Sequence, residues 1–233
     1  MQNSACIGVI TIGQSPRVDI MPEFIQIIGF APAIVEKGLL DGLSMEEIDA
    51  LKPKRATSRM LVSRLQNGAE VKLSERKVRE MMQFTVCDLA QQSDIDAIVL
   101  FCTGDFPRID AKVPILYPSS IVKSVVSSIL YSKEQTKRRI GIIAPVSEQF
   151  GMLNQKWHRV ADNIAFDALS PYTASDDDIF HCAKRVSALD LDLVVLDCMG
   201  YTGQTKAELA KQIHVPIILP RSILARVTAE VLA

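Results

Sequence analysis

A duplicated segment is the feature of this sequence that most constrains its fold. Residues 94–104 form an apolar run that ends in Cys-Thr-Gly, and residues 190–200 form a second such run that ends in Cys-Met-Gly. A Val-Pro-Ile segment follows each run at nearly the same distance, at 113–121 and at 215–223. The repeat predicts two structurally equivalent halves, and each half presents one cysteine at the end of a buried strand.

The rest of the chain has the pattern of a layered α/β protein. Short runs of β-branched residues alternate with amphipathic stretches, which is typical of helices packed on parallel strands. An Asn-Gly pair at 67–68 predicts a hairpin between 59–64 and 70–73, and only the first half has one. Ser15 before Pro16 predicts the start of a helix that continues to about residue 28. The other strands are predicted at 7–12, 33–36, 97–101, 115–117, 140–144, 165–168 and 193–197, with a short strand after 215.

Composition excludes several classes of function. Among 233 residues 48% are hydrophobic and 23% charged, and the net charge of −1 gives no electrostatic reason to expect nucleic acid or an anionic membrane as partner. No apolar run approaches the roughly 20 residues that span a bilayer. The first residues do not have the pattern of a signal peptide, and the five cysteines form no CxxC pair, so we expect a cytoplasmic protein with reduced thiols.

Motifs for cofactors and metals are absent from the sequence. The three histidines lack metal-ligand spacing, so we expect no metal site. There is no Walker loop and no GxGxxG, so we expect no cofactor.

The loops that follow the predicted strands are where a ligand is expected. In open parallel sheets, ligands bind beyond the carboxyl ends of the strands. Four loops qualify, at 13–17, 102–108, 117–120 and 198–203, and they are rich in small and polar residues. Ser15, Ser119 and Ser120 stand at predicted helix starts, where free N–H groups attract carboxylate or phosphate.

Cys102 and Cys198 occupy the critical position in this arrangement. Two thiols on opposite sides of one carbon can run a two-base reaction, in which one removes a proton and the other returns one to the opposite face. The alternative is a pair of inert cysteines, which pack well in a core. Asp197 is expected to point to the other face of the strand, so we assign it no catalytic role.

The segments at 7–13, 38–44, 196–200 and 219–232 resemble the AroM family, within the aspartate/glutamate/hydantoin racemase superfamily. The resemblance implies two pseudo-symmetric three-layer α/β domains with mainly parallel sheets and a ligand cleft between them. We expect one domain to comprise 1–117 plus 220–233 and the other 118–219. The resemblance also implies cofactor-independent chemistry at a carbon next to a carboxylate, as in racemases, isomerases and decarboxylases.

This sequence departs from the racemases at two places. They usually carry an Asp after the first strand and a His just after the second cysteine, where this chain has Gly13 or Gln14 and Met199-Gly200-Tyr201. Arg17 and Tyr201 are candidates to replace them, as carboxylate binder and hydroxyl donor.

The predicted function is a racemase or isomerase that acts on a small carboxylate with Cys102 and Cys198 as opposed acid and base. Two alternatives stay open: a lyase or decarboxylase that uses a single thiol, and a non-catalytic protein that binds a small anion. A homodimer also stays open. The predicted substrate-binding residues are Gln14, Ser15, Arg17, Thr103, Gly104, Ser119, Ser120, Gly200, Tyr201 and Thr202.

Overall fold

The computed structural model describes residues 5–55, 59–92 and 94–232 as an α/β protein with two parallel sheets. The first half contains β1 (Cys6–Thr11), α1 (Met21–Ile28), β2 (Ala33–Gly38), α2 (Met45–Ala50), β3 (Met60–Arg64), β4 (Glu70–Ser74), α3 (Glu75–Leu89), β5 (Ala97–Phe101), β6 (Ile115–Leu116) and α4 (Pro118–Ile129). The second half contains β7 (Arg139–Ala144), α5 (Phe150–Trp157), β8 (Asn163–Ala168), α6 (Asp176–Ser187), β9 (Leu193–Leu196), α7 (Gly203–Leu209), β10 (Ile217–Ile218) and α8 (Pro220–Leu232).

The two sheets have the same strand order. The first sheet runs β2-β1-β5-β6 and the second runs β8-β7-β9-β10, with every pair parallel. In each sheet the strand that precedes the cysteine is central, and the strand of the Val-Pro-Ile segment lies beside it at the edge. The predicted duplication is therefore confirmed in the topology.

Each sheet is the middle layer of a three-layer unit. The strands before the cysteines are apolar at every position, because both of their faces are covered. On β5, Ile98 and Leu100 pack toward α3 and the hairpin, whereas Val99 and Phe101 pack toward α1 and α8. On β9, alternate residues face the α4–α5 layer and the α6–α7 layer.

The helices that follow the Val-Pro-Ile segments cross to the opposite sheet. Helix α4 packs Val122 and Val126 on the core of the second sheet, and helix α8 packs Leu224 and Ala225 on the core of the first. The division into 1–117 plus 220–233 and 118–219 stays a prediction, and this exchange of helices is the observation that supports it.

The hairpin of β3 and β4 lies against the second half of the chain. Lys72 forms an ion pair with Glu148 at 2.7 Å, and Ser170 donates a hydrogen bond to Glu70 at 2.6 Å. Gln149, just before α5, donates its side-chain N–H to the backbone carbonyl of Met60. The hairpin thus bridges the two halves.

One predicted element boundary is wrong. Helix α1 begins at Met21, so Ser15 and Pro16 lie in the preceding loop and do not cap it. Ser15 instead gives its backbone N–H and its hydroxyl to the carboxylate of Asp41, in the loop that follows β2. The competing partner from another loop overrode the local capping signal. In the described part of the chain, no helix combines the length and the apolar character that crossing a membrane requires.

Candidate active site

Cys102 and Cys198 line one small cavity between the two halves. Cys102 directly follows β5 and Cys198 follows β9 after one residue, so both lie at the carboxyl ends of central parallel strands. Each is only 7% exposed. The cavity volume is about 20 Å³, which is room for about one water molecule. In this conformation the cavity has no room for a ligand of several atoms.

The two thiols have matching backbone surroundings. The N–H of Gly104 points at Cys102 Sγ at 3.4 Å, and the N–H of Gly200 points at Cys198 Sγ at 3.4 Å. In both cases the donor lies two residues after the cysteine. Such a donor stabilises the thiolate more than the thiol, since a charged acceptor makes the stronger hydrogen bond.

Burial dominates the ionisation of both thiols. It raises the pKa of Cys102 to about 12, against the N–H of Gly104 and the charge of Lys156, which lower it. Burial also raises the pKa of Cys198, and there the N–H of Gly200, the charge of Arg17 and a hydrogen bond from Tyr172 oppose the rise. Both groups are neutral thiols near pH 7, and Cys198 faces more groups that favour its thiolate.

Arg17 is a buried cation at the floor of the cavity. Its guanidinium makes a bidentate pair with Asp19, with both N···O distances 2.8 Å, and donates to the Thr11 hydroxyl at 2.7 Å. It also donates to the Tyr172 hydroxyl at 3.3 Å. The pKa of Arg17 is raised, because these hydrogen bonds outweigh the burial that opposes its charge.

Tyr172 is a site residue that the sequence interpretation missed. It follows β8 in a Ser-Pro-Tyr turn and lines the cavity beside Cys198. Its ring fills the space that a side chain at position 200 would need, because a Cβ there would lie 2.7 Å from the ring. The loop after β8 is also at the carboxyl end of a parallel strand, and this signal could have identified it.

A buried ion pair ties the two cysteine loops together. Lys156 on α5 donates to both carboxylate oxygens of Asp197, at 2.8 and 2.9 Å, and to the carbonyl of Thr103 at 2.7 Å. Trp157 donates its indole N–H to the same carboxylate at 2.7 Å. The ammonium group of Lys156 thereby holds Asp197, which precedes Cys198, and Thr103, which follows Cys102. Asp197 lines the cavity, although the sequence predicted that it would face away from the site.

Equivalent residues of the two Val-Pro-Ile segments form hydrogen bonds to the loops that follow the cysteines. Ser119 donates its hydroxyl to Asp105, in the loop after Cys102. At the equivalent place, Arg221 donates to the carbonyls of Met199 and Gly200. Ser119 thus has a local partner, and Ser120 is exposed beside it.

The other predicted substrate-binding residues lie at varied distances from the thiols. Arg17 and Thr103 line the cavity with the two cysteines, and Gly104 lines the adjoining recess. Gln14 accepts a hydrogen bond from the backbone of Gln66 in the hairpin turn. Tyr201 is fully buried and donates its hydroxyl to the carbonyl of Leu169, and Thr202 caps α7. Neither Tyr201 nor Thr202 lines the cavity.

The cavity wall also contains residues from two segments that the sequence interpretation did not place there. Leu61, Val62 and Ser63 come from the hairpin, and Pro145 and Gln149 come from the loop after β7. Within the described residues, no cluster of His, Cys, Asp and Glu has a geometry that could hold a metal ion.

Comparison with solved structures identifies the fold. A glutamate racemase from Bacillus anthracis superposes with a TM-score of 0.58 at 14% identity, over 99% of this chain and 82% of the racemase. An allantoin racemase from Pseudomonas fluorescens gives 0.55 at 9% identity, over 97% and 89%. An unliganded arylmalonate decarboxylase gives 0.52 at 15% identity, over 97% and 91%. At these identities the likeness concerns the fold alone, which is the two-domain α/β fold of the aspartate/glutamate racemase superfamily.

Comparison of the sequence with known proteins and families identifies the family. Among curated proteins, none matches the chain. The profile of the AroM protein family matches residues 7–232, nearly the whole length of the chain. Together with the duplicated topology and the paired cysteine loops, this match means that the chain belongs to the AroM family.

Proposed function

We propose that the protein is a cofactor-independent racemase or isomerase that acts on a small carboxylate with Cys102 and Cys198 as its acid and base. The observation that carries the proposal is the position of the two thiols. One comes from each half, both line one cavity, and each faces the N–H of the glycine two residues later. A fold shared with racemases and a decarboxylase supports the same class of chemistry.

The unequal surroundings of the thiols suggest their roles. Cys198 faces the Gly200 N–H, Arg17 and the Tyr172 hydroxyl, so we assign it the role of the base. It first releases its thiol proton to solvent, and the resulting thiolate removes the proton from the carbon next to the carboxylate. Cys102 then donates its thiol proton to the opposite face of that carbon. The proton balance closes, because Cys198 ends as a thiol and Cys102 as a thiolate beside Lys156. The reverse reaction exchanges the two roles.

A variant set tests this proposal. Cys102→Ala and Cys198→Ala should each lower racemisation by about 100- to 10,000-fold, the usual contribution of a general acid or base. Cys182→Ala is the control, because Cys182 is also a buried cysteine but lies on α6, packs in the core of the second half and does not line the cavity. Racemisation is followed by chiral chromatography over a panel of amino, hydroxy and ureido acids and hydantoins. Full activity in either cavity variant, or none in the wild type with any compound, would contradict the proposal.

A single-thiol lyase or decarboxylase is the second candidate. The Tyr172 hydroxyl forms a hydrogen bond that lowers the pKa of Cys198, and among the described residues no tyrosine lowers the pKa of Cys102. This asymmetry favours Cys198 as the single proton donor. In that case Cys102→Ala keeps most of the activity, whereas Cys198→Ala loses it. A malonate panel with detection of released carbon dioxide separates this candidate from the racemase.

The state of the thiols bears on the compartment. All five cysteines, namely Cys6, Cys87, Cys102, Cys182 and Cys198, are free. A reaction that uses two thiols as acid and base requires them to stay reduced. We therefore propose a reducing compartment such as the cytoplasm.

A further inference from the structure

Two buried polar atoms in the wall of the cavity have no hydrogen-bond partner among the described residues. They are the hydroxyl oxygen of Ser63 on β3 and the amide oxygen Oε1 of Gln149, just before α5. Ser63 is 1% exposed and Gln149 is 5% exposed. An unpaired polar atom at such depth costs about 1–3 kcal/mol of stability, so its presence in a cavity indicates a ligand-facing role.

The orientation of the Gln149 amide is fixed by its other end. Its Nε2 donates to the backbone carbonyl of Met60 at 3.1 Å, so Nε2 is committed to the hairpin and Oε1 is the free acceptor. An acceptor in this place pairs with a donor, supplied by a water in the cavity or by a ligand that displaces it. The Ser63 hydroxyl differs, because it can also donate, and a carboxylate oxygen is its best acceptor.

The cationic groups of the cavity already have internal partners. Lys156 donates to three oxygens, those of Thr103 and Asp197. Arg17 is paired with Asp19, Thr11 and Tyr172. Among the described residues that line the cavity, Ser63 and Gln149 are the ones with a buried side-chain oxygen that has no partner.

We infer that Ser63 and Gln149 select a small acid that carries an N–H or O–H donor near its carboxylate, with Ser63 bound to the carboxylate and Gln149 bound to the donor. The inference deepens the proposed function and rests on it for the site at which the ligand binds. The inference separates acids that carry a hydrogen-bond donor next to the carboxylate from acids that do not. Amino, hydroxy and ureido acids meet the requirement, and acids with only hydrocarbon next to the carboxylate do not.

Calorimetric binding of two matched series tests the inference. Propionate, lactate and alanine share one skeleton and differ at a single donor, and so do succinate, malate and aspartate. In at least one series the donor-bearing acids should bind about 10-fold more tightly than the donor-free acid, a ratio that corresponds to about 1.4 kcal/mol. No binding in either series, or equal binding by all members of both series, would overturn the inference.

Two substitutions separate the roles. Gln149→Leu should weaken only the donor-bearing acids and bring each series to within about 3-fold, whereas Ser63→Ala should weaken every member by a similar factor. Gln155→Leu is the matched control, because Gln155 is an exposed glutamine in α5 that binds Arg59 and should leave the series unchanged. Ser63→Ala should also raise or maintain the melting temperature of the ligand-free protein, since it removes an unpaired hydroxyl. A drop in that temperature with the binding series unchanged would show that Ser63 is only structural.

The same measurements distinguish failure of the inference from failure of the proposed function. A donor preference that depends on Gln149, in a protein that racemises no compound, would overturn the proposed function and retain the inference. Racemisation that depends on Cys102 and Cys198, with no effect of Gln149→Leu on either series, would overturn the inference alone.

Discussion

At the residue scale, the two thiols are held in the protonated form by burial, and this has a consequence for stability. The pKa of Cys102 rises from its usual 9.0 to about 12 in the folded protein. Below pH 9 the folded and unfolded chains both carry this proton, so the group does not affect the balance between them. Between pH 9 and 12 the unfolded chain releases the proton and the folded chain retains it. Stability must therefore fall as the pH rises through this interval.

This pH dependence is a measurable difference between variants. As the pH rises from 9 to 10.5, the free energy of unfolding should fall more steeply for the wild type than for Cys102→Ala, by at most about 1.4 kcal/mol per pH unit. Urea titrations at closely spaced pH values give the slopes. Ser128→Ala, a change at an exposed hydroxyl on α4 that removes no ionisable group, serves as control and should keep the wild-type slope. Parallel slopes for the wild type and Cys102→Ala would contradict the assignment.

Sequence reasoning found some site residues and missed others for an identifiable reason. Cys102 and Cys198 are visible because the same short pattern encloses each of them. Arg17 is visible because it lies in a polar loop after a buried strand. Tyr172 lies in a comparable loop after β8, and this signal could have identified it. Gln149 has no such local pattern, since what places it at the cavity is the packing of the loop after β7 against the hairpin.

At the element scale, the hairpin is the part of the first half that has no equivalent in the described second half. Strand β3 of the hairpin packs closely against the loop that follows β1, and this close approach is possible because residue 13 is a glycine. A Cβ on Gly13 would lie 2.3 Å from the carbonyl oxygen of Arg64 and 2.5 Å from the hydroxyl oxygen of Ser63. A side chain at this position would therefore collide with the strand that carries Ser63.

Gly13→Ala should therefore displace the hairpin. We expect a loss of about 1–3 kcal/mol of stability, as for overpacked sites, and weaker binding of small acids because Ser63 moves with the strand. Chemical denaturation and calorimetry measure the two effects. Gly151→Ala is the control, since a Cβ there meets nothing within 4 Å and alanine favours the α5 helix. Unchanged acid binding in Gly13→Ala would show that the hairpin does not position a ligand-binding group.

The regular elements were largely predictable, and the one wrong boundary is instructive. The buried strands before the cysteines are continuous apolar runs, and the Asn-Gly turn defines the hairpin, so local chemistry suffices for them. Ser15 also has the chemistry of a helix cap, but Asp41 in another loop takes its hydrogen bonds. A cap signal predicts a helix start only where no tertiary partner competes, and the sequence does not reveal that competition.

At the scale of the whole molecule, the two halves are closed around a cavity too small for a carboxylate of several atoms. The Lys72–Glu148 ion pair and the Ser170–Glu70 hydrogen bond join the hairpin to the second half. We therefore expect binding to include an opening step. Trp157, the single tryptophan of the chain, reports on it because its indole N–H is bound to Asp197 in the cavity wall.

Stopped-flow fluorescence of Trp157 tests the opening step. At rising ligand concentration the observed rate of the fluorescence change should reach a plateau that is set by the rate of opening. Lys72→Ala removes one closing contact and should raise the plateau, and Lys137→Ala, which removes an exposed ion pair with Glu134, should not. A rate that increases linearly to the highest concentration would show that the cavity is open enough without this motion.

The central claim is that thiols from the two duplicated halves act on opposite faces of one carbon. The most direct measurement is the early distribution of deuterium when the wild-type protein acts in D₂O on one enantiomer of its best acid. Two opposed thiols exchange their protons with solvent and return a deuteron only to the far face. The account predicts that the first product molecules carry deuterium at the α-carbon while the remaining substrate carries none. Equal labelling of substrate and product from the start, or product that retains the original hydrogen, would mean that one group serves both faces and would contradict the account.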